Sequence, residues 1–175
     1  MNLSYYRWKR LCLFGLGLFM GTAFCMKWME GDFWVNNEKF TILGLELFYS
    51  KEKVENIFSS LDHRVQTILC YHLYFDFAFM AGVYPGITSS CMMAREKLTS
   101  PVLKKILYLL AALQLVAWAA DIMENNYLLL WIKEPAIRKE FEWYHAIVTV
   151  KWLIALAGVL LSVPIVLLKK LLKTN

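Results

Sequence analysis

Charge is scarce in this chain. Only 19% of its residues are Asp, Glu, Lys or Arg, and 59% are hydrophobic, where soluble domains average about 25% charged and about 45–50% apolar. Chemistry that depends on cysteine is thinly provided for. Cys12, Cys25, Cys70 and Cys91 include no C-x-x-C pair, which excludes a thioredoxin-like redox motif and a zinc knuckle and leaves them as small packing residues. An H-E-x-x-H metal signature, internal repeats and low-complexity stretches are all absent. The net charge of +5 does not point to nucleic acid, because the basic residues flank apolar runs instead of lining one face or loop.

What is present is four apolar blocks. About 20 helical residues cross the roughly 30 Å hydrocarbon core of a bilayer, and the blocks predict spans at about 11–29, 66–94, 102–132 and 143–168. The chain then holds one membrane domain over residues 1–175. The first block has a basic start (Arg7, Lys9, Arg10) but no small-x-small cleavage site after it, so it is expected to be a retained helix and not a signal peptide. It carries Gly17-x-x-x-Gly21, a spacing that lets a second helix approach closely; a partner helix or a second copy of the chain is expected there. Pro85-Gly86 falls inside the second span, where a proline removes one backbone hydrogen bond and favours a kink. Ser100-Pro101 is a good start for the third.

Between the first two spans, residues 30–65 read as a structured outer loop. Ser50 is placed to cap a helix over about 51–61, and Val54, Ile57, Phe58 and Leu61 fall on one face of it. That helix is expected to lie on the membrane surface or cap the bundle, with a strand followed by a helix as the alternative. Orientation follows from the short basic segments: Arg7, Lys9 and Arg10; Arg95, Lys97, Lys104 and Lys105; Lys169, Lys170 and Lys173. Positive segments stay in the cytoplasm, so both termini are expected there. Trp28, Phe33, Trp34, Trp131, Trp143 and Tyr144 gather at the opposite edge, as an interfacial aromatic belt would.

Several ionisable residues fall inside the spans, where each charge costs roughly 2.5–3.5 kcal/mol on insertion scales. His72 and Asp76 share a face of the second span, and Asp121, Glu124 and Asn125 share a face of the third. Lys151 lies in the fourth. Counted from the outer side at 1.5 Å per residue, Asp76 is about 15 Å deep, Asp121 about 16 Å and Lys151 about 12 Å. Groups on three helices thus meet at one level. His145 is six residues from Lys151, about 120° around the helix, and is expected at the rim; Tyr127 is a second rim candidate, and Tyr71, Tyr74 and Trp118 are candidate walls.

Carboxylates outnumber the lysine in this group. An architectural ion pair needs two members, so surplus acids must be protonated, hydrated or matched by something cationic. Binding or modification of a small amphiphilic, lipid-like or sterol-like molecule accounts for the group best, with His72, Asp76, Asp121, Glu124, Asn125 and Lys151 as the site. The alternative is an accessory subunit whose polar residues pair with one another or with a partner helix. Proton or ion movement ranks lower, since four helices without repeats make a poor transporter. His72, Asp76, Asp121 and Glu124 also form a mixed nitrogen and oxygen set for a metal, although no motif names a cofactor. The partners expected are the lipid bilayer and an amphiphilic ligand, not nucleic acid. The layout resembles the small four-helix membrane proteins of the sterol-isomerase and sigma-2-receptor group. The resemblance, one of architecture and length, implies cytoplasmic ends, a structured first outer loop and acids inside the spans; it carries over no site residue.

Overall fold

A computed structural model describes residues 3–171; Lys173 lies outside them, as do the side chains of Lys169 and Lys170. The main elements are α1 (Leu3–Met29), α2 (Lys51–Ser59), α3 (His63–Lys97), α4 (Pro101–Lys133) and α5 (Glu140–Leu171). All but α2 are long and apolar enough to cross a membrane, and together they make an all-helical, multi-pass bundle. At 1.5 Å per residue the 35 residues of α3 extend about 52 Å, well beyond the hydrocarbon core. The helix ends therefore stand clear of it, and the α1–α3 connection packs among those on one side as a cap.

Local chemistry sets the helix starts. Ser50, Asp62 and Ser100 each accept a hydrogen bond from the backbone N–H three residues on, at the first turns of α2, α3 and α4. Pro101 stands at the opening of α4, where a missing N–H costs nothing. Pro85 does not end α3, which continues from His63 to Lys97.

α3 is the hub, packing against α1, α4 and α5. Its contact with α1 is backbone on backbone. A β-carbon added at Gly15 would lie 2.6 Å from the Gly82 carbonyl oxygen, and one at Gly82 would lie 2.7 Å from the Phe19 nitrogen. Gly17 and Gly21 take no part in it. Both face away from the bundle and a β-carbon there meets nothing within 4 Å. Gly15 lies two residues from Gly17, about 200° around the helix, which puts it on the opposite face.

The cap combines both forms expected of the outer loop. Trp34–Val35 and Glu38–Lys39 pair as short antiparallel strands, β1 and β2. Asn36 and Asn37, at φ 51° and 63°, make the turn between them; asparagine tolerates this left-handed conformation, which suits a two-residue hairpin. A π-helical turn over Gly44–Phe48 follows, then α2. Val54, Ile57 and Phe58 of α2 are buried with Phe33, Phe40 and Leu45 of the loop and with Val65, Leu69, Trp131 and Tyr144 of the long helices, so α2 caps the bundle. Phe33, Trp131 and Tyr144, expected in the interfacial belt, belong instead to this core, because the folded loop covers them. Trp28, Trp34 and Trp143 do remain exposed. At the other end of the bundle small and polar residues hold the helices together. Ser162 donates to Ser90 at 2.8 Å, and Gln114 donates to the Leu110 and Ile154 carbonyls at 3.2 Å, the interhelical bonding favoured where no water competes.

Gly15→Ala and Gly82→Ala each drive a β-carbon into backbone and are expected to cost about 1–3 kcal/mol, whereas Gly17→Ala should be neutral or stabilising by up to about 1 kcal/mol through helix propensity. Thermal unfolding of the purified protein in detergent checks this; equal losses at Gly15 and Gly17 would contradict the assigned contact.

Candidate functional site

Lys151 of α5 faces inward, with its side chain 7% exposed. Three carboxylates converge on its ammonium. Asp121 Oδ1 accepts from Nζ at 2.8 Å, Glu124 Oε2 is in direct contact with it, and Glu46 Oε2 accepts at 3.5 Å. Asp121 and Glu124 are three apart on α4 and so present to one side. The remaining acid, Asp76 of α3, is half-buried, and its Oδ2 accepts from Asn125 Nδ2 at 2.8 Å; the same amide donates to the Leu73 carbonyl at 3.3 Å. Tyr84, about two turns further along α3, donates to Asp121 Oδ2 at 2.7 Å. The two oxygens of Asp121 are thus occupied from two different helices. Asp76, Asn125, Asp121, Glu124 and Lys151 thus come together where α3, α4 and α5 meet.

Glu46 was not among the expected site residues. It comes from the cap, through the π-helical turn Gly44–Phe48, and α5 grips that turn at three points. Tyr144 donates its hydroxyl to the Leu45 carbonyl at 3.3 Å. His145 Nε2 lies 3.3 Å from the Leu47 carbonyl. The Trp152 indole N–H donates to Glu46 Oε2 at 2.9 Å beside the lysine. Residues 144, 145, 151 and 152 recur after seven positions, two helical turns, and so fall on one side of α5. The turn also depends on Gly44, where a β-carbon would lie 2.2 Å from the Tyr49 ring. The sequence did hold a signal for Glu46: it is a lone acid in the otherwise apolar run from Phe40 to Phe48. An acid held in such a run is either exposed on one face or paired.

Other expected members stand apart. His72 is buried against Phe33, with ring centroids 5.4 Å apart, and its Nδ1 has no hydrogen-bond partner among the described residues. It serves the cap, not the lysine. His145 is at the rim as expected, holding cap backbone, and Tyr127 packs edge-on against Tyr144. Of the candidate walls, Trp118 stacks on Tyr84 with centroids 6.2 Å apart. Tyr71 and Tyr74 are exposed and line a different groove, described below. The metal expectation fails as well: among the described residues no three His, Cys, Asp or Glu side chains are placed to hold an ion. His72 points to the cap, and the Lys151 ammonium occupies the space between the acids that a cation would need.

Comparison with known protein families, curated proteins and solved structures finds no match.

Removing the ammonium strands three acids at once. Lys151→Met is expected to cost at least the roughly 3–5 kcal/mol typical of breaking a buried ion pair. Tyr84→Phe removes one hydrogen bond to a charged group and should cost about 1.5–3 kcal/mol. Denaturation of the two variants in detergent gives the comparison, and a Lys151→Met protein as stable as wild type would show that the centre is not held together by the lysine.

Proposed function

We propose that the protein is a structural or accessory membrane subunit, with both termini in the cytoplasm, whose Lys151 centre locks the outer cap onto the bundle in one fixed pose. The observation that carries this reading is direct pairing. A ligand cavity needs space beside the acids, whereas a structural core has the acids and base in contact. Here Asp121, Glu124 and Glu46 touch the lysine, and their side chains are 5%, 1% and 10% exposed. Two cavities, one at the hairpin and one between the ends of α3 and α4, are lined by none of these four residues. Breaking an ion pair of this kind costs several kcal/mol, so it fixes register and pose more than it raises net stability. In this reading the open Gly17 and Gly21 face of α1 meets a partner helix or a second copy of the chain. Its support is that α1 lies at the edge of the bundle with large apolar residues such as Phe14, Met20 and Phe24 exposed.

One observation favours a second reading, in which a small amphiphilic molecule binds at this level. Asp76 is half-buried and is bonded to Asn125, not to the lysine. It is the acid of the group left to meet a cationic headgroup arriving from the lipid side.

The two readings separate in a stability series of Asp121→Asn, Glu124→Gln and Asp76→Asn. In a structural lock, Asp121→Asn and Glu124→Gln lose stability, by less than Lys151→Met because two acids still face the ammonium. Asp76→Asn then loses a charge-assisted hydrogen bond, about 1.5–3 kcal/mol. If Asp76→Asn is instead as stable as wild type or more so, that acid is retained against stability, as functional groups often are, and the amphiphile reading takes precedence.

A further inference from the structure

At the cap end of the bundle, α3 and α4 diverge around a groove of about 430 Å³. Its polar rim is formed by His63, at the first position of α3, and Lys133, at the last of α4. Both are exposed, and neither is in an ion pair among the described residues. The floor is fixed by Gln66, whose amide donates to the Ile132 carbonyl at 3.1 Å and ties the start of one helix to the end of the other. From the rim the groove runs down α3 past Cys70 to Tyr71 and Tyr74, both exposed. His63 and Tyr74 are eleven residues apart, about 16 Å along the helix axis. The groove therefore begins at helix ends, where headgroups lie, and continues into the part of α3 that faces hydrocarbon.

Polarity and charge follow the same gradient. No carboxylate lines the groove. Its basic groups sit at the interfacial end and its aromatic walls at the deep end. Tyrosine suits such a boundary because its ring is apolar and its hydroxyl reaches polar ester groups. A soluble anion would use the rim and leave the tyrosine walls empty; an uncharged apolar molecule would use the walls and leave Lys133 unmatched. A molecule with an anionic phosphate at one end and an acyl chain at the other uses both.

We propose that the groove holds one anionic phospholipid of the surrounding leaflet, its phosphate between Lys133 and His63 and an acyl chain along Cys70, Tyr71 and Tyr74. The site is separate from the Lys151 centre and stands or falls independently of its role. Bound there, the lipid would bridge α3 and α4 beside the Gln66 bond and stabilise the cap end of the bundle.

The test is native mass spectrometry of the full chain in detergent, with phosphatidylglycerol and phosphatidylcholine added in equal amounts. Wild type is expected to retain phosphatidylglycerol preferentially, with one lipid predominating. Lys133→Ala should lower that preference about fivefold, the usual worth of one lysine near an anionic lipid surface, and Lys133→Arg should keep it. Lys139→Ala, which removes a charge from the neighbouring α4–α5 connection outside the groove, should leave it unchanged. Tyr74→Ala should weaken retention of the lipid, and excess inorganic phosphate should not displace it. The proposal is overturned if wild type shows no preference, if Lys139→Ala matches Lys133→Ala, or if inorganic phosphate competes the lipid away.

Discussion

The structure depends on one ammonium group in a place where ammonium is costly. Lys151 lies where α3, α4 and α5 meet, and its partners come from two long-range directions: Asp121 and Glu124 from α4, and Glu46 from the cap. Burying ions takes them out of water at a cost of several kcal/mol each, and their mutual attraction offsets this only if the geometry is good and the remaining lone pairs are satisfied. The surroundings meet that condition for Asp121 and Glu46, while the Glu124 carboxylate has the lysine as its one partner among the described residues. Tyr84 bonds the second oxygen of Asp121, Trp152 bonds Glu46, and Asn125 holds Asp76. Each of these contacts joins different elements, so the polar layer fixes how helices and cap sit relative to one another.

Above this layer the core is large and aromatic, with Phe33, Phe40, Trp131 and Tyr144 packed beneath α2. Below it the core loses its aromatics, with Ile87, Cys91, Ala94, Leu107 and Ala111 packed beside the Ser90–Ser162 bond. The two halves are built on different physics. The upper half resembles a water-soluble domain, closed by burial of apolar area. The lower half works as membrane helices do, by close backbone approach and interhelical hydrogen bonds. The lysine centre lies at the join.

Much of this was legible in the residues. Four spans, the Ser50 cap and the amphipathic face of α2 all follow from periodicity and capping chemistry, and counting depth from the helix ends brought Asp76, Asn125, Asp121 and Lys151 to one level. The failures share a cause, which is that the fold of the connection cannot be read from a helix wheel. Glu46 looked like a loop acid because a π-helical turn has no simple periodic signature. Phe33, Trp131 and Tyr144 looked interfacial because their position beside the span ends does not reveal the cap that covers them. His72 shares a face with Asp76 but meets Phe33, since one turn of helix is enough to move from the lysine layer to the cap. The close approach of α1 to α3 is made by Gly15 and Gly82, where no local pattern singles out the partner.

The order of the centre's members along the chain has a consequence for biogenesis. Glu46, Asp76, Asp121 and Glu124 all precede Lys151, so during synthesis every acid leaves the ribosome before the base that pairs with three of them. Until α5 is in place, the acids of α3 and α4 lack the ammonium that Asp121 and Glu124 share in the finished fold. The last helix then brings the one ammonium that Asp121, Glu124 and Glu46 share. A chain interrupted before residue 151 retains the acids without the lysine, and so carries the charge of the centre without its counter-charge.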